Sequence, residues 1–269
     1  MPKNLFAAAG ECLGCTDVDR KLALAAALAD DWRTGGLERD PTGASDGFRE
    51  AGRPARPELV APSRLAQRRL STPRGHAALI HAVAHIEFNA INLACDAVYR
   101  FRDLPDDYYT DWTRVAAEEA YHFSLLNERL GQLGHTYGDF PAHNGLWELA
   151  VDTAHDPLLR MALVPRVMEA RGLDVTPGMM QRLAAIGDHA SVAILEIILR
   201  DEVGHVEAGS RWFHHLCAQR GLDPEQTYFS LLEHHLPAGV RCPLHRAARF
   251  EAGFSESELD RLEALCKRS

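Results

Sequence analysis

Two stretches of the chain, "EEAYHF" at Glu118–Phe123 and "DEVGHV" at Asp201–Val206, carry one arrangement: an acid, a glutamate, two variable residues and a histidine. Positions i and i+3 of a helix differ by about 60°, so Glu119 and His122 project from one face, as do Glu202 and His205. Each motif lies in a segment of helical periodicity. Two other apolar helical faces are each interrupted by one glutamate, Glu87 in "HIEFNAINLA" and Glu169 in "LVPRVMEARG". The order is therefore Glu, Glu-x-x-His, Glu, Glu-x-x-His, with 32 residues from Glu87 to Glu119 and 33 from Glu169 to Glu202. That near-equality reads as a repeat of two helical hairpins.

Taken singly, each of these glutamates reads as a helix-surface residue. Taken together on four successive helices, they read as a core site. A charge turned into a bundle core is too costly unless paired or coordinated, and four carboxylates crowded there repel each other unless cations sit between them. Two divalent metals satisfy the set. An oxygen-rich shell with two imidazoles suits iron or manganese better than zinc, whose structural sites favour Cys and His, and the set matches that of dinuclear carboxylate bundles. Glu118 and Asp201 each lie four residues before a motif histidine and are candidates to orient its free N–H. Tyr121, inside the first motif, is a candidate neighbour of the site, with core packing as its plainer role. His85, about 200° round the helix from Glu87, is expected to face elsewhere.

Around these motifs the chain reads as nearly all helix. Residues 17–32 are Ala- and Leu-rich at helical spacing, whereas 33–62 hold enough prolines and glycines to forbid a long helix. This gives an N-terminal helix followed by an extended arm. Between Arg49 and Arg74 the arm carries seven arginines against two glutamates, expected to pair with an acidic bundle surface or, alternatively, to receive an anionic substrate. Thr72-Pro73 opens a helix running to about Phe101, stopped by Pro105 and the "DLPDD" around it; a second runs from about Asp111 to Leu133. A third covers about 157–171 with Gly172 as its stop, followed by a short piece at 177–186, and a fourth runs from about Ser191 to Arg220, ending at Gly221. "DPEQ" at Asp223 and "SESE" at Ser255 have the cap-x-x-Glu/Gln form that opens helices. The expected organisation is an N-terminal helix and wrapping arm (1–70), a four-helix bundle with a dinuclear metal site (71–221) and a C-terminal helical cap (222–269). The 50 residues from Glu119 to Glu169 require a long crossover, including "GHTYGDFPAHNG".

Composition narrows the function. A formal charge of −9 and pI near 5.8 argue against a general nucleic-acid or anionic-membrane binder. No stretch reads as a bilayer span, the start "MPKNLFAAAGECLGC" lacks a hydrophobic signal core, and a cytoplasmic protein is expected. The six cysteines, at 12, 15, 95, 217, 242 and 266, read as thiols rather than a disulfide framework. Cys12 and Cys15 form one Cys-x-x-Cys with no second to complete four ligands, and read as ordinary cysteines near a loosely held terminus.

The order and spacing resemble the ferritin-like di-iron carboxylate superfamily. More narrowly, "GRPARPELVAP", "HIEFNAINLACDA", "ARGLDVTPGM", "RDEVGHV" and "ARFEAGFS" resemble a bacterial ferritin-like family known as domain of unknown function 455, over roughly residues 50–260. The resemblance implies a ferritin-like four-helix bundle and the ligands Glu87, Glu119, His122, Glu169, Glu202 and His205, holding two iron ions, or manganese, or one of each. It brings no established reaction. The favoured expectation is an oxidoreductase that activates dioxygen to oxidise or hydroxylate an unidentified small molecule or modified macromolecule. This reading leaves room for an external electron donor and a homodimer. The alternatives are a ferroxidase or peroxide-scavenging protein, and a metal-stabilised binding scaffold without catalysis.

Overall fold

A computed structural model describes residues 3–42, 48–66, 69–236 and 239–266. The described chain is mostly helical and falls into two compact units, Met1–Val151 with Ile186–Ile194, and Asp152–Ala185 with Leu195–Ser269.

In the first unit, α1 (Leu5–Gly14) and α2 (Val18–Arg33) precede the arm, and α3 (Pro73–Arg100) and α4 (Asp106–Gln132) follow it. Side-chain caps start three of them. Asn4 accepts from the Ala7 N–H, Asp17 from the Arg20 N–H, and Thr72 from the Gly75 N–H, with Pro73 preset for the first turn. Helices α3 and α4 pack along each other; α1 lies on α3 and α2 on α4. Two-residue parallel strands, β1 (Lys3–Asn4) and β2 (Leu37–Glu38), tie the beginning of the chain to the start of the arm.

Several sequence expectations need correction here. The segment Leu5–Gly14 is not loosely held, since Leu5, Phe6, Ala9, Cys12 and Leu13 of α1 are buried. Helix α4 begins at Asp106, with Pro105 as its cap residue, so the aspartates after Pro105 open the helix, where the macrodipole favours them, rather than separating two helices. By length and composition α3 could cross a membrane, but 78% of its most apolar window is buried inside the protein, as in a core helix. The arm is docked by backbone groups: Arg100 donates to the Phe48 carbonyl, Gly52 N–H to Leu13 and Val60 N–H to Ala142. Among the described residues, none of the arginines from Arg49 to Arg74 forms an ion pair with a carboxylate, contrary to the charge-pairing expectation. Residues 67–68, part of that basic stretch, lie outside the described residues. After α4 the chain runs without helix through Gly134 and Gly138, both at positive φ, to α5 (Gly145–Asp152).

In the second unit, α6 (Pro157–Leu163) passes into a π-helical segment (Val164–Glu169) and then α7 (Ala170–Ala185), without a break at Gly172. Pro165 lacks the N–H that an α-turn would use, and a widened turn absorbs that loss. Pro177 sits inside α7, where buried Leu173 and Leu183 hold the helix despite the missing bond. Helix α8 (His189–Gln219) ends before Gly221, at positive φ. Helices α9 (Pro224–His235), α10 (Arg246–Glu251) and α11 (Glu256–Cys266) complete the chain. Asp223 caps α9, and Ser255 and Glu258 exchange hydrogen bonds in a reciprocal capping box at α11. Cys242 and Cys266 form a disulfide, so two of the six cysteines are not thiols.

Candidate metal centre

Glu87 on α3 and Glu119 and His122 on α4 meet in the first unit. All three are buried, and each offers a ligand atom within 4.8 Å of the others. His122 Nδ1 lies 3.2 Å from Glu87 Oε2 and 3.5 Å from Glu119 Oε2. The i,i+3 spacing supplies one contact and the packing of α3 on α4 the other. Phe88 and Phe123, adjacent in sequence to Glu87 and His122, meet edge to face at 5.6 Å between ring centres. Glutamates on an apolar helix face thus arrive where apolar packing places them.

The electrostatics follow from this geometry. Burial pulls the His122 imidazolium towards neutrality, but hydrogen bonding and charge from Glu119 and Glu87 outweigh it and raise its pKa to about 11. Two carboxylates with one imidazole keep a surplus negative charge even when the imidazole is protonated. A divalent cation would replace that proton and balance both acids. Buried oxygens with one imidazole nitrogen are a donor set that hard and borderline cations accept.

In the second unit, the other motif also pairs. Glu202 Oε1 and His205 Nδ1 lie 3.8 Å apart, both residues buried. Glu169 is half-buried at the end of the π-helical segment. Glu118 is partly exposed, with Arg114 Nη1 at 3.0 Å, and Asp201 has Arg200 Nε at 2.8 Å. Tyr121 is not a core residue; it is 53% exposed. His85 packs as expected, its Nδ1 2.8 Å from the Tyr137 hydroxyl and its Nε2 3.1 Å from the His143 carbonyl.

One buried polar cluster escaped the sequence reading. Lys21, fully buried between α1 and α3, donates to the Cys12 carbonyl (2.9 Å), the Leu13 carbonyl (3.1 Å) and Asn92 Oδ1 (2.6 Å). Its only sequence signal was a lysine opening the apolar run "KLALAAALA".

A family model described as "Protein of unknown function (DUF455)" matches residues 14–260. An uncharacterized protein of Haemophilus influenzae (strain ATCC 51907 / DSM 11121 / KW20 / Rd) is 50% identical over 214 residues, covering 77% of this chain and 74% of that protein. No solved structure matches.

Proposed function

The chain belongs to the DUF455 family, whose description carries no reaction, and from the chemistry of its own residues we propose that it is a dinuclear metalloprotein. In this reading Glu87, Glu119 and His122 combine with Glu169, Glu202 and His205 to hold two iron ions, or manganese, or one of each. The scaffold would be a ferritin-like bundle of α3, α4, the α6–α7 run and α8, within residues 71–221. The observation that carries the reading is the buried trio: two carboxylates and an imidazole within ligand distance of one another, with the same Glu-x-x-His pair repeated on α8. Bound there, such ions would supply dioxygen reduction at a carboxylate-rich centre. The protein's own part is to hold the acids close together, exclude water and fix the imidazoles. Glu118 and Asp201 stand as candidates to orient them, through relaxation of their present arginine contacts.

The favoured activity is oxidation or hydroxylation of an unidentified organic substrate, with an external electron donor. Ferroxidase or peroxide-scavenging work is the second reading, and a structural metal site the third. Metal analysis of purified protein should give up to two iron or manganese per chain, and Glu119→Ala with His205→Ala should abolish it. Stoichiometric metal in that double variant would overturn the assignment. Anaerobically reduced, iron-loaded protein should consume dioxygen; ferrous protein stable in air for hours would leave only the structural reading.

A further inference from the structure

A second buried polar site lies in the first unit on a different face of α3. Asn89 and Asn92 line a cavity of about 70 Å³. At about 100° per residue they sit roughly 160° and 140° round the helix from Glu87. The arm roofs the cavity with Glu50 and Arg53, and Trp147 of α5 closes one wall, held by its indole N–H on the Arg49 carbonyl.

The polarity of the floor is set from behind. The three acceptors around Lys21 Nζ require three N–H donors, which only the ammonium form has. A lysine cannot accept, so the Asn92 atom 2.6 Å away must be its carbonyl oxygen. Asn92 is 1% exposed, and its N–H2 group donates to no described residue, which leaves those donors for the cavity it lines. Neither Lys21 nor Arg53 is ion-paired with a carboxylate among the described residues, so two cations flank the space, one through the Asn92 dipole. Asn89 commits its N–H2 to His85 and presents an acceptor, and Glu50 stands exposed at the rim. These place the anion-binding end at Asn92 and Arg53.

We infer that this cavity binds a small carboxylate, one oxygen on the Asn92 N–H2 and the other on the Arg53 guanidinium. Its volume is roughly half that of an engineered cavity of about 150 Å³ that admits benzene, which suits an acid of a few heavy atoms. Burial draws the Lys21 ammonium pKa down, so an anion nearby would relieve an existing cost.

Calorimetric titration of the full-length protein with sodium acetate, against sodium chloride at equal ionic strength, should show one saturable site, and acetamide, the neutral isostere, none. Asn92→Asp keeps the acceptor for Lys21 but turns the donor into an anion, and should abolish binding with the helical circular dichroism intact. Arg53→Gln, on the exposed arm, should weaken binding about tenfold, the loss of one charge-assisted hydrogen bond. Glu50→Gln should tighten it, and Arg56→Gln, outside the cavity lining, should change nothing. Acetate heats equal to chloride, or wild-type affinity in Arg53→Gln, would overturn the inference, and Arg53→Gln decides alone if Asn92→Asp fails to fold. The site does not depend on the metal reading: Glu119→Gln should lose metal and bind acetate as before.

Discussion

Two kinds of buried charge coexist in this chain. In the second unit two buried arginines each meet an acid. Arg249 donates to both carboxylate oxygens of Asp174 at 2.9 and 2.8 Å, and Arg166 donates to Glu258 at 2.6 Å with its guanidinium 4.4 Å from the ring centres of Tyr228 and Phe254. In the first unit Glu87 and Glu119 share one imidazole. Pairs in which each cation has an acid within hydrogen-bond distance hold a fold together, and removing a partner strands a charge. Two acids on one imidazole store repulsion that a cation relieves. The difference separates a buried charge kept for stability from one kept for a ligand.

The largest effects should follow that division. Asp174→Ala leaves Arg249 buried without its acid and should cost about 3–5 kcal/mol in chemical denaturation. Glu119→Gln removes one of two competing acids, so metal-free protein should stay within about 1 kcal/mol of wild type while metal binding is lost. Equal destabilisation by the two substitutions would erase the distinction.

Adding metal should sharpen it. Ferrous or manganous ion at a hundredfold excess over its dissociation constant should stabilise metal-free protein by about 2.7 kcal/mol. Asp174→Asn, which keeps the shape of the side chain, should start from a lower melting temperature and gain the same increment. No shift on adding either ion would place the trio among the structural pairs.

A comparable effect comes from pH. His81 Nε2 accepts the Gly138 N–H at 2.9 Å and therefore has no proton there. Burial, then the nearby His85, lowers its pKa to about 4 from the ordinary 6.5. Between those values the unfolded chain binds the extra proton, so stability is full above about pH 6.5 and falls as pH drops towards 4, by about 3 kcal/mol. His81→Gln, which can still accept from Gly138, should flatten that slope in metal-free protein. An unchanged slope would assign the acid sensitivity elsewhere, to His85, whose pKa burial also lowers to about 4, or to the carboxylate trio.

Helix starts were legible because their signals are local. Thr72-Pro73, Asp223 and Ser255 cap helices within three residues of themselves. Interruptions misled because their meaning is tertiary. Gly10 and Gly14 spoil α1 as a propensity pattern, yet a Cβ at Gly10 would meet Tyr99 at 2.9 Å and one at Gly14 would meet Phe48 at 3.2 Å. They are close approaches, not breaks. Gly172 and Pro177 likewise sit in a helix that buried Leu173 and Leu183 hold in place. The trio Glu87, Glu119 and His122 was legible because i,i+3 spacing and an interrupted apolar face are both sequence periodicities. Lys21 on Asn92 was not, since 71 residues separate the partners and neither belongs to a repeating pattern. The Cys242–Cys266 bridge was missed for the same reason, a separation of 24 residues with no motif.

The π-helical segment at Val164–Glu169 has a consequence for comparing relatives. Its turns close one residue further along than α-turns, and one residue is about 100° of rotation about a helix axis. The wider turn takes in one extra residue without rotating the faces of Ala170–Ala185, including Asp174 on its way to Arg249, about the axis. A relative one residue shorter in this stretch would close it as ordinary α-turns and keep Asp174 on its guanidinium. Single-residue gaps between 164 and 169 should therefore appear without compensating changes, an inheritance pattern that tests the geometry without a purified protein.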